Sequence, residues 1–156
     1  MLVGFLVGET WPFHVAVVLD EDAVLRRVAA GDYSDAFWVL DGRARVGLVR
    51  LMDLDDGTPL FDLRVSAAHR GRGVGTAAVE WLTRYVFTHY STNRIEGNTR
   101  QDNAAMRRTF VKAGYVKEAH HREAWPSPDG PINSIGYAIL RRDWETGTTT
   151  TVDWGS

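Results

Sequence analysis

The chain has no cysteine. Disulfides, thiolate catalysis and Cys-based zinc sites are therefore excluded, and a reducing cytoplasm is the compartment such a composition suits. A charge excess is missing too. The 18 Lys and Arg against 20 Asp and Glu leave a net charge of −2, so no global field draws in nucleic acid and any basic site has to be local. Long apolar runs are also lacking. The opening stretch MLVGFLVG carries eight residues before Glu9, with no basic residue ahead of it and no small-residue cleavage site behind. It fits neither a secretory signal nor a membrane span and is expected to be a first strand. No His-Glu-x-x-His pattern or carboxylate–histidine cluster is present, so no metal site is expected. His120 and His121 are adjacent on an expected strand, where side chains alternate between faces, and they cannot jointly hold one ion.

What remains is an ordinary globular composition, 44% apolar and 24% charged over 156 residues. That length suits one domain, residues 1–156, able to bury a core without covalent staples. Residues 20–30 carry acids in the first turn and Val24, Leu25 and Val28 at helical spacing, which predicts a short amphipathic helix. Asp41-Gly42 between two β-rich runs predicts an antiparallel hairpin over residues 36–51. PLFDLRV reads as the next strand. From Val74 the period becomes helical: Val74, Ala77, Ala78, Trp81, Leu82, Tyr85 and Val86 form one apolar stripe. NRIEGNT is an expected strand, and Asp102 or Asn103 can cap the helix after it. YVKEAHHREAW and SIGYAIL are two more strands. The Thr-rich tail, residues 145–156, is expected to be partly ordered. The order strand, helix, three strands, helix, strand, helix, two strands makes an α/β (α+β) fold around a mixed central sheet.

The run Arg70-Gly71-Arg72-Gly73-Val74-Gly75, with Thr76, lies between a strand ending at Val65 and the strongest helix. Glycines allow the backbone N–H groups to converge there, the helix N-terminus adds partial positive charge, and two guanidinium groups add full charge. Such a construction suits a pyrophosphate. A Walker A loop would need Gly-Lys-Ser/Thr, which is absent. Gly73, Gly75 and Ala78 also satisfy a dinucleotide fingerprint with Glu96 downstream. However, SAAHRGR separates them from the strand, and too little chain follows for a second mononucleotide half.

Arg70, Gly73 and Gly75 resemble the acetyl-CoA signature of the GNAT superfamily, Gln/Arg-x-x-Gly-x-Gly/Ala. Asn103, Met106, Phe110, Lys112, Gly114 and Tyr115 resemble a second block of that family, and with Arg94-Ile95-Glu96 the chain looks like its RimJ/RimL branch. The resemblance implies an N-acetyltransferase fold, a bent and mostly antiparallel sheet splayed between its fourth and fifth strands, with acetyl-CoA in the gap. It implies that the backbone of Leu63 and Val65 pairs with the pantetheine arm and that the Val65 N–H receives the developing oxyanion. Residues Arg70, Gly71, Arg72, Gly73, Val74, Gly75 and Thr76 would hold the pyrophosphate, and Asn103, Met106, Arg107 and Phe110 would line the far side.

Acetyl transfer requires a neutral amine, a donor to the oxyanion and, in some enzymes, an acid for the leaving thiolate. Leu60 and Phe61 stand where the resembled branch usually has Glu. Asp62, which shares a strand face with Arg64, is the candidate base or acceptor anchor, with Glu96 and Glu123 as alternatives. Phe110 replaces the family's Tyr and Met106 the Ser of RimL-like enzymes, so Tyr137 or His120 is left as the acid unless the thiolate departs unaided. Trp11, Phe13, His14 and Trp38 suit either aromatic core packing or the acceptor pocket, and Arg64 and His120 complete the candidate acceptor residues. The expected partner is a primary amine, on a peptide N-terminus or a small molecule, with no nucleic acid or membrane and with a monomer or homodimer as the acting species. An acetyl-CoA-binding sensor that never turns over is the alternative reading.

Overall fold

A computed structural model describes residues 1–155. Its opening segment is a helix, α1 (Leu2–Val7), and not the expected first strand. A short apolar run carries no period that separates buried strand from buried helix. Tertiary packing decided it: as a helix the segment buries Leu6 completely and sets Phe5 against Trp11 and Trp38, with ring centroids 5.5 and 5.3 Å away.

The rest follows the expected order. Helix α2 (Glu21–Ala29) is capped by Asp20, whose carboxylate accepts from the Ala23 N–H at 2.9 Å. Strands β1 (Ala36–Asp41) and β2 (Ala44–Met52) form the hairpin, followed by β3 (Leu60–Val65), α3 (Val74–His89) and β4 (Arg94–Arg100). Helix α4 (Ala104–Lys112), β5 (Val116–Trp125) and β6 (Ile132–Leu140) complete a six-stranded sheet of order β1-β2-β3-β4-β6-β5. With no N-terminal strand, the pair expected as strands four and five is β3 and β4, the parallel neighbours in an otherwise antiparallel sheet. A further helix, α5 (Arg141–Thr146), has no counterpart in the sequence reading. It ties down the start of the Thr-rich tail, because buried Asp143 accepts from the Thr150 N–H at 2.9 Å and from its hydroxyl at 2.5 Å.

The sheet separates two apolar cores. On one face α3 and α4 bury Val79, Leu82, Val86 and Phe110 against Val49, Leu51, Phe61, Ile95 and Ile135. On the other, α1 and α2 bury Leu6 and Val24 with Trp11, Leu19 and Leu48. Neighbouring residues of β2 enter different cores, as the two-residue period requires. Buried Tyr115 pins α3 to the start of β5 by sharing a 2.8 Å hydrogen bond with Thr83, and burial pushes its phenol well above its ordinary range.

Phe110 can lie against β4 only because residue 97 is glycine. A Cβ there would stand 2.8 Å from the Phe110 ring and 3.1 Å from Phe61. Gly97→Ala is therefore expected to destabilise the fold by about 1–3 kcal/mol, the usual cost of overpacking. Urea denaturation at constant m-value measures it.

Candidate functional site

Strands β3 and β4 share a single register pair, Leu60 with Glu96, reinforced by the Glu96 N–H donating to Pro59 O at 3.0 Å. Beyond that pair the ladder stops. The Ser66 N–H donates to Val46 O at 2.8 Å, so the even-numbered residues of β3 bond β2. By alternation the N–H and C=O groups of Phe61, Leu63 and Val65 face away from β2, towards the side where β4 has left the ladder. At Leu63, and at the Val65 N–H, the strand thus offers backbone groups outside the ladder to an extended guest, while the Val65 carbonyl is held by Arg70.

At the end of β3 a 3-10 turn (Ala67–His69) leads into the glycine loop. Gly71 and Gly73 take φ of 74° and 80°, left-handed values that favour glycine. Gly73 is the N-cap of α3, and no side chain caps that end. The first-turn N–H groups of a 16-residue helix are thereby left facing the loop, with the partial positive charge of the helix end behind them. A groove of about 350 Å³ opens here, and Leu63, Val65, Arg70, Gly73, Gly75 and Thr76 line one side of it.

Helix α4 forms the opposite wall. Asn103 is its cap, accepting from the Met106 N–H at 3.1 Å, which settles the choice between Asp102 and Asn103. Asn103, Met106 and Thr109 line the groove, and so do Lys112, a residue of the second motif block, and Arg108, which motif spacing did not single out. Their position one turn apart facing the loop was a helical-period signal open to reading. Two expected wall residues lie elsewhere. Phe110 is 1% exposed in the core, and Arg107 donates to Tyr137 Oη at 3.2 Å and to Gln101 O at 3.1 Å on the far side of the helix. Arg72 is exposed and Val74 half-buried at the loop. Arg70, expected to reach phosphate, donates from Nε to Val65 O at 2.9 Å and from Nη2 to Thr10 O at 3.2 Å.

The groove's other end is closed by residues 9–14, a strap crossing the tip of β3. Glu9 accepts from the Ala67 N–H at 2.8 Å, Pro12 O accepts from Arg100 at 3.1 Å, and His14 Nε2 lies 2.9 Å from Asp62 Oδ1. Trp11, Phe13 and His14 line the groove. The Arg64 guanidinium lies over Trp11 at 5.1 Å and donates to Asp62 Oδ2 at 3.3 Å, while one of its terminal nitrogens, buried, has no partner among the described residues. Burial pushes the Asp62 carboxyl up. The hydrogen bond and charge of His14, with the charges of Arg64 and Arg50, outweigh this and hold it at about 2. Ionised Asp62 therefore stabilises the fold at any pH above the ordinary carboxylate value of 3.8, and this is lost as pH falls towards 2. Asp62→Asn should flatten the acid limb of a stability-against-pH curve between those limits.

Other candidates are not brought to this end. Tyr137 lies on the α3/α4 face of the sheet, 4% exposed and stacked on Phe110 at 4.5 Å, in a separate depression between Arg107 and Val111. His120 is exposed on edge strand β5. Glu96 pairs with Arg94 at 2.7 Å, and exposed Glu123 sits at a bulge of β5 with φ 52°.

A splayed parallel pair, a glycine cradle at a helix N-terminus and a strap over the end of β3 together define a GNAT-type acyltransferase architecture. The family model for the acetyltransferase (GNAT) domain matches residues 9–116, and the chain belongs to that family. N-acetyltransferase 8F1 of Rattus norvegicus is 30% identical over 125 residues, which are 75% of this chain and 56% of that protein. An uncharacterized N-acetyltransferase of Methanocaldococcus jannaschii, MJ1530, is 33% identical over 85 residues, 53% of this chain and 54% of that protein. The chain thus spans little more than half the length of these relatives. Among solved structures, a chimera of the spermidine N-acetyltransferase SpeG of Vibrio cholerae with hSSAT superposes at TM-score 0.74 and 18% identity, covering 82% of this chain and 84% of that one. A probable acetyltransferase superposes at TM-score 0.74 and 18% identity over 92% of this chain and 87% of its own. At such identity these two establish the fold.

Proposed function

We propose that the chain transfers an acetyl group from acetyl-CoA to a primary amine, on a peptide N-terminus or a small molecule, by direct attack in a ternary complex. The observation that carries this is the coincidence in one groove of the β3 edge at Leu63 and the Val65 N–H, left outside the ladder, with the Gly71–Thr76 cradle. The residues fit the donor. Uncapped N–H groups at the start of α3, with Arg108 and Lys112 opposite, suit the diphosphate and phosphate charges, and the free edge of β3 suits the amides of the pantetheine arm. When bound, acetyl-CoA supplies an activated thioester. The chain's own part is to orient it along β3, to direct the Val65 N–H at the carbonyl oxygen, to exclude water beneath the strap and to receive the amine's proton near Asp62. The Arg94-Ile95-Glu96 and Asn103–Tyr115 segments support a RimJ/RimL-like placement within the family.

The acceptor end argues for a monoamine on an apolar or aromatic body. Trp11, Pro12 and Phe13 line the groove, no Asp or Glu lines it among the described residues, and the Asp62 carboxylate is already engaged by His14 and Arg64. A polyamine would meet cations without free counter-charges. In steady-state thiol release with an amine panel, phenylethylamine-type monoamines or peptides with an apolar N-terminal residue should exceed spermidine at least tenfold in kcat/KM, the scale of losing one favourable charge contact. Thiol release with no amine tested, despite measurable coenzyme A binding, would instead establish the sensor reading, and spermidine as the best acceptor would overturn the acceptor class.

A further inference from the structure

Resting on that reading, we propose that His14 is the group that accepts the acceptor amine's proton and that Asp62 is the residue that positions it. The strap leading to His14 is fixed at several points: Glu9 to Ala67, Thr10 to Arg70 and Pro12 to Arg100, with the His14 N–H itself donating to Trp11 O at 3.0 Å. His14 is half-buried and lines the groove, whereas Asp62 lies behind it. Both Asp62 oxygens are occupied, Oδ1 by His14 and Oδ2 by Arg64, and Arg50 is the register partner of Asp62 on β2. A carboxylate so held only accepts hydrogen bonds, so the neutral imidazole donates from Nε2 and carries its lone pair on Nδ1. Nδ1 has no partner in the chain among the described residues, and it is the ring nitrogen available to a guest in the groove. Direct use of Asp62 as base would require protonating a carboxylate whose oxygens are already taken by His14 and Arg64 and which the charges of Arg64 and Arg50 hold low.

The step balances without any other reactant. The amine nitrogen forms its bond to the acetyl carbon, the carbon–sulfur bond breaks with its electron pair going to sulfur, and the amine's proton passes to His14 Nδ1. From there it goes to the released thiolate or to solvent. The charged and titratable groups around this pair are Asp62 and Arg64 from β3 and Arg50 from β2, with His69 lining the same groove and Glu9, Arg70 and Arg100 bonded along the strap.

The first test needs no variant. Nitrogen-15 NMR of the full chain should show neutral His14 as the Nε2–H tautomer, and Asp62→Asn should mix the tautomers; a wild-type neutral ring with its proton on Nδ1 overturns the proposal. In kinetics, His14→Gln should lower kcat about a hundredfold or more, the scale of general-base catalysis. It should abolish the acid limb of the kcat/KM profile and leave the coenzyme A Kd from calorimetry within about twofold. Free imidazole should restore part of the rate to His14→Ala. A wild type that turns over while His14→Gln keeps kcat within threefold, or keeps the limb, sinks the role of His14 alone. A wild type that consumes no acetyl-CoA with any amine sinks the functional reading and this proposal with it.

Discussion

Gly73→Val should weaken coenzyme A binding by about ten- to a hundredfold while leaving the protein folded. Two effects combine. Residue 73 sits at φ 80°, where an L side chain costs about 1–2 kcal/mol and a β-branched one more. The space around its missing Cβ holds no protein atom within 4 Å, so the loss is not an internal clash. The side chain would instead stand at the mouth of the α3 N-terminus, in the volume the diphosphate requires, and the strain would turn the first N–H groups away from it. Gly42→Val is the control: it has φ 59° and equally open space, in the β1–β2 turn. It should lose comparable stability in denaturant and nothing in Kd. Equal Kd for Gly73→Val and wild type, by calorimetry, would remove the cradle from the binding site.

Trp11→Ala is the substitution with the largest expected effect on stability, about 3–5 kcal/mol, the range for truncating a buried aromatic. Trp11 is 1% exposed, donates from its indole to Leu6 O at 2.9 Å and lies between the guanidinium groups of Arg64 at 5.1 Å and Arg70 at 5.9 Å. Its loss would leave a cavity in the α1/α2 core, free the Leu6 carbonyl and release the strap that carries His14. Trp11→Phe keeps the packing and loses the hydrogen bond, so it should recover most of the stability. Denaturation midpoints at unchanged m-value decide between these outcomes. A Trp11→Ala cost below about 1 kcal/mol would show that the strap does not depend on this ring.

Where local rules act within one element, reading the chain worked. The hairpin signal between two β-rich runs and the α3 stripe over four turns both appeared as elements where expected, although the hairpin turns one residue later, at Gly42 and Arg43, with Asp41 paired to Ala44. Of the two caps offered for α4, Asn103 holds, because a cap joins residues three apart. The opening strand failed because an apolar hexamer satisfies helix and strand equally, and the aromatic rings of Trp11 and Trp38, distant in the chain, decided between them. Helix α5 was missed because its anchor is Asp143 on Thr150, a link between a polar residue and a tail that carries no apolar period.

By itself, the sequence determined the class of fold and the position of the glycine cradle, since hydrophobic period, turn chemistry and loop composition are local properties. The acceptor end was decided only by the tertiary structure. His14 and Asp62 lie 48 positions apart and meet at 2.9 Å because α1 and the strap pack on the face of the sheet to which β3 presents Asp62. The same packing took Tyr137 to the opposite face and sealed Phe110 in the core. A pairwise contact across such a separation leaves no periodic trace in the chain, because it is set by how two independently folded segments close on one another.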